Sequence, residues 1–143
     1  MDPDRSPDAA TDNGVLSTLS NEMVKLYKDQ FGRGPTKTRS MWAGPDTLVV
    51  LLEQTFTPAE RRLAQMGEHA RLRDLRMLFQ YAELPRFCAP VERLTGRKVR
   101  AFVSGLDTEA DLATEMFILH PAGYGGASRA QAQADEQQSA AQE

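Results

Sequence analysis

Apolar side chains recur at helical spacing over residues 15–31, where Leu16, Leu19, Met23, Leu26, Tyr27 and Phe31 share one face. Asn13 is a candidate cap and Gly32 stands just past the end, so the pattern predicts an amphipathic helix. Gly34-Pro35 stops it, and the period then drops to two. Lys37, Arg39 and Met41 alternate with Thr36, Thr38, Ser40 and Trp42, which predicts a strand. Ala43-Gly44-Pro45-Asp46 has turn composition, and the TLVVLLE segment after it reads as a second strand, completing an antiparallel hairpin. That second strand is apolar on both alternations, Leu48, Val50 and Leu52 against Val49 and Leu51, as in a strand covered on both faces.

Thr57-Pro58-Ala59-Glu60 combines three helix-start signals: a Thr cap, Pro at the first helical position, and Glu three residues after the cap. A short helix is expected from there to about Gly67. Leu72, Leu75, Leu78, Phe79 and Ala82 mark a second helix, and Phe87, Val91 and Leu94 a third stretch ending at Gly96. Pro85 and Pro90 cannot both sit inside one straight helix, so a break is expected near Pro85 and a kink near Pro90.

RKVRAFVSG then alternates Val99, Ala101 and Val103 against Lys98, Arg100 and Phe102, and a polar connection from Asp107 and Thr108 leads to LATEMFIL, a second hairpin. The two halves echo one another, each with a helix ending at Gly-Arg followed by a basic strand and an apolar strand. The predicted class is α+β: a four-stranded, mainly antiparallel sheet with helices on one face, in the order helix, strand, strand, helices, strand, strand.

Composition changes this picture only at the ends. Residues 1–14 and 123–143 lack an apolar face, so both are expected to be disordered tails around a single domain at 15–122. The chain carries a net charge of −3, yet residues 15–121 hold two more basic than acidic side chains, so the acidity belongs to the tails. That small excess makes nucleic acid a weak candidate partner. No aliphatic run exceeds Leu48–Leu52, far short of the roughly 20 apolar residues of a membrane span. The N-terminus has no secretory signal pattern, so the protein is expected to remain in the cytoplasm, where it is made.

The chemistry on offer is sparse. One cysteine, Cys88, excludes an internal disulfide, and Cys88 with His69 and His120 has no metal-site spacing. No phosphate-cradling glycine motif occurs, and GRGP carries Pro where such a loop needs free N–H groups. Asp107, Glu109 and Asp111 lie where turns favour acids. Arg33, Lys37, Arg39, Arg97, Lys98 and Arg100 fall at corresponding places in the two halves. If the two basic strands are neighbours, these six form one positive surface for a phosphate, a lipid headgroup or an acidic partner strand. They equally suit a solvated outer face that deters edge pairing. Trp42 fits either a core cap or a subunit contact.

Several blocks in register, FGRGPTK, LVVLLE, TPAE, LTGRKVRAF with SGLD, and EMFILHP, resemble the MpsC-like family over residues 16–121. The family is named for a Na+-translocating, membrane-potential-generating system. The resemblance implies a small accessory subunit beside a large membrane ion-transport or inorganic-carbon uptake subunit, with no catalytic residue, metal or cofactor to carry over. The expectation is therefore a non-enzymatic protein, cytoplasmic or held peripherally at the inner face of the cell membrane. The alternative is a stand-alone binding or regulatory module for an anionic ligand or nucleic acid through the basic residues. A homodimer is also expected, because little else in the chain can cover the second face of strand 47–53.

Overall fold

The computed structural model describes residues 7–142. The elements are α1 (Pro7–Phe31), β1 (Lys37–Trp42), β2 (Thr47–Glu53), α2 (Pro58–Gln65), α3 (His69–Ala82), α4 (Leu84–Thr95), β3 (Val99–Asp107), β4 (Leu112–Leu119) and α5 (Arg129–Ala141). The four strands form one open sheet in the order β1-β2-β4-β3, antiparallel at every pairing. The α+β class and the two hairpins are as the sequence predicts.

Leu19, Met23 and Tyr27 project from successive turns of α1 into the core, against Leu48, Val50 and Leu52 of β2 and Phe117 and Leu119 of β4. Helix α4 adds Leu84, Phe87 and Val91. An aromatic chain crosses this layer: Tyr27 to Phe87 at 5.9 Å, Phe87 to Phe102 at 5.9 Å, Phe102 to Phe117 at 5.2 Å. Such pairs add about 0.5–1.5 kcal/mol each beyond area burial. Gly32 and Gly96 close α1 and α4 in the left-handed region, at φ 77° and 69°, which only glycine adopts freely. Pro85 sits in the first turn of α4, where its missing N–H costs nothing, and the chain breaks at Glu83; Pro90 lies inside the helix.

Two expectations are corrected. The alternation predicted for residues 98–103 fails at a register shift between Val99 and Ala101. The extra residue lets Val99 and Phe102 both enter the core, leaving Val103 on the far face. The tails predicted to be disordered at 1–14 and 123–143 also differ. Helix α1 already begins at Pro7, and the C-terminal segment forms α5, capped by the Ser128 side chain accepting from the Gln131 N–H; residues 1–6 and 143 lie outside the described residues. Helix α5 docks without an apolar stripe. Ala130 packs against the core, Gln133 Nε2 donates to the Tyr81 carbonyl at 2.8 Å, and Lys98 Nζ donates to the Gly126 carbonyl at 2.5 Å.

Candidate functional site

The strand order decides what becomes of the basic residues. β1 and β3 are the two edges, separated by β2 and β4, about 14 Å apart at a normal strand spacing. Lys37 shares its cross-strand row with Asp107, at the far end of β3 from Lys98 and Arg100. The two basic strands are therefore not neighbours, and the six residues form no single positive surface. The echo in the sequence explains this, since each hairpin supplies one edge strand and equivalent residues fall at diagonally opposite corners. Arg97 is occupied by structure: it donates to Asp46, to the Pro45 carbonyl and to the His120 carbonyl, clamping the β1–β2 turn to the end of β4. Lys98 holds the segment before α5, and Lys37 stands 4.0 Å from Glu53. Arg39 and Arg100 are exposed, and Arg33 is half-buried.

The acids of the β3–β4 connection also do structural work. Asp107 accepts from the backbone N–H groups of Glu109 and Ala110. Asp111, at φ 51°, receives the N–H groups of Thr55 and Phe56 and so fixes the chain leaving β2. Cys88 is buried, and burial pushes its thiol up to about 12, so it stays protonated at neutral pH. Among the described residues no group of three or more His, Cys, Asp or Glu side chains could hold a metal ion.

The polar centre of the molecule lies elsewhere, and periodicity did not point to it. Helix α3 is inverted: it buries Leu72, Arg76 and Gln80, successive positions of one face, while Leu75, Leu78 and Phe79 are 43%, 65% and 45% exposed. Arg76 lies 3.8 Å over the ring of Phe31 and forks onto Glu60, with a further hydrogen bond of 2.8 Å to the Thr55 carbonyl. Burial pushes the Glu60 carboxyl up, but the hydrogen bonds and charge of Arg76 outweigh it and hold the group below the usual carboxylate range. The same Glu60 completes the capping box of α2 with Thr57, so one carboxylate ties α2 to α3.

One turn further along α3, Gln80 Nε2 donates to the Tyr27 hydroxyl at 2.7 Å and to Glu115 Oε1 at 2.5 Å, and Tyr27 itself donates to Glu115 Oε1. Glu115 is fully buried on β4, opposite Ser104 of β3. Burial raises its carboxyl to about 8, against the opposing pull of Tyr27, Ser104, Arg76 and Gln80. Tyr27 is raised well above its ordinary value by the same burial and by the Glu115 charge. This arrangement can hold a proton at the junction of α1, α3 and the sheet. The signal available in the sequence was a lone Glu on the inward alternation of LATEMFIL.

Beside this network two of the uncovered residues of α3, Leu75 and Phe79, line a cleft of about 320 Å³ with Phe31, Leu63 and Arg76, and Leu78 extends the apolar stripe outside it. The walls are mostly apolar, and the cleft lies between the end of α1 and the α2–α3 pair.

These features define a small α+β protein with no helix, among the described residues, long and apolar enough to cross a membrane, and with an apolar stripe left open beside a buried polar centre. Comparison of the sequence with protein families matches residues 11–121 to MpsC, described as a Na+-translocating membrane potential-generating system. The chain belongs to the MpsC family. No curated protein and no solved structure matches it.

Proposed function

We propose that this chain is a non-enzymatic accessory subunit of a Na+-translocating, membrane-potential-generating system. It is held at the cytoplasmic face of the membrane by contact with a membrane-embedded ion- or carbon-transport subunit. Family membership supports the setting. The observation that carries the docking role is the inverted helix α3, because a helix that turns Arg76 and Gln80 inward and Leu75, Leu78 and Phe79 outward leaves apolar area for another surface to cover. The contact is assigned to this stripe and its cleft, since the basic residues are divided between opposite edges of the sheet. An apolar side chain from a loop or helix of the membrane subunit fills the cleft as an anchor. Recovery of a multispanning ion-transport subunit from gently solubilised native membranes tests this, with Leu78→Glu and Phe79→Glu as variants that abolish recovery.

A further inference from the structure

The helices all pack on one face of the sheet, and the opposite face carries four cross-strand rows, the first of which joins Thr47, Ile118 and Ala101. One row is apolar from edge to edge: Met41, Val49, Met116 and Val103. The next holds Arg39, Leu51, Thr114 and Gly105, and the last Lys37, Glu53, Leu112 and Asp107. An antiparallel sheet with one wet face normally shows polar side chains there. Here the face is apolar in the middle, and at its Lys37 end the two edges differ in charge: Lys37 and Arg39 on β1, with Glu53 next to Lys37 on β2, against Asp107 on β3, while the exposed Arg100 lies at the other end of β3.

We propose that this face is the contact between two copies of the chain, related by a two-fold axis that runs along the strands. A rotation about that direction lays the β1 edge of one copy over the β3 edge of the other and keeps each row at its own level. The apolar row then meets itself, with Met41 over the second copy's Val103 and Val49 over its Met116. Lys37 and Arg39 meet Asp107, so the basic end of β1 in each copy meets the acidic end of β3 in the other, twice by symmetry. A two-fold axis across the strands would instead place β1 on β1 and Arg39 over Met41, losing this charge match. Four strands about 4.8 Å apart and seven residues of about 3.3 Å rise give a footprint of about 450 Å² per copy. A pair therefore buries about 1,000 Å² once the corrugation of side chains is counted, the size at which a specific contact becomes possible. The two sheets pack as an aligned sandwich about 10 Å apart.

The test uses the full chain. Light scattering over a tenfold dilution gives twice 15.9 kDa; a monomer mass at every concentration overturns the proposal. Val103, already 46% exposed, tolerates Val103→Lys without unfolding, and this variant is monomeric with unchanged circular dichroism; a variant that stays dimeric overturns the assignment of the face. Arg39→Glu raises the dissociation constant about tenfold, and Asp107→Asn, which keeps the turn hydrogen bonds of Asp107, restores much of the loss in the double variant. The axis is tested by a short bismaleimide linker, with the buried Cys88 silent. Met41→Cys with Val103→Cys cross-links two chains, whereas Met41→Cys alone does not. Cross-linking of the single variant, or none in the double one, overturns the axis along the strands.

Discussion

Tyr27 and Glu115, 88 residues apart in the chain, share a hydrogen bond of 2.5 Å in the middle of the core, and Gln80 donates to both. The consequence is a stability that falls as pH rises. Glu115 keeps its proton up to about pH 8 when folded, whereas in the unfolded chain it releases it near the ordinary value of 4.5. Between those limits the folded state binds more protons than the unfolded, so stability is full below the unfolded value and is lost through the folded one. The slope is at most about 1.4 kcal/mol per pH unit for one group. Glu60 does not cancel it, because its lowered value acts on the acid side of this window. Urea midpoints at pH 5.5 and 8 measure the effect, and Glu115→Gln, which keeps an acceptor for Tyr27, flattens the difference.

Arg76 and Glu60 are both largely out of water, with side chains 2% and 12% exposed. Arg76→Ala strands Glu60 beside apolar rings and costs about 3–5 kcal/mol. Arg76→Met with Glu60→Gln removes both charges and costs much less. Equilibrium denaturation of the two variants checks the order; equal losses would show that packing over Phe31, not charge pairing, is what Arg76 supplies.

Removing residues 127–143 deletes α5 with the Ala130 packing and the Gln133 hydrogen bond to Tyr81. The truncated protein folds but is less stable by about 1–2 kcal/mol, read as a lower denaturant midpoint. An unchanged midpoint would contradict the docking of α5.

Legibility of the fold from sequence followed the physics of each segment. The α1 stripe from Leu16 to Phe31, the Thr57 to Glu60 capping box and the two hairpins were readable, because one-sided burial or a local cap set each pattern. Helix α3 was misleading: Leu75, Leu78 and Phe79 have core spacing, yet the buried face is the one through Leu72, Arg76 and Gln80. What makes that face tolerable is the hydrogen bonding of Arg76 to Glu60 and of Gln80 to Tyr27 and Glu115, partners 16 to 53 residues away that no local period reveals. The basic residues were visible one by one, but their separation depended on the β2–β4 pairing, a long-range choice. Helix α5 was missed because its docking rests on Ala130 and polar contacts and not on a hydrophobic stripe.

Leu78→Glu changes a side chain that is 65% exposed, so its effect on folding stability stays within about 0.5 kcal/mol. A docking role and a packing role are thereby separated: thermal midpoint unchanged, membrane association lost.

The most direct measurement is quantitative co-purification from gently solubilised native membranes, with bound proteins identified by mass spectrometry. The wild-type chain is expected to recover a multispanning ion-transport subunit in a fixed ratio, and folded Leu78→Glu less than a tenth as much. Recovery of no multispanning subunit by the wild-type chain, or equal recovery by the variant, would contradict the docking role.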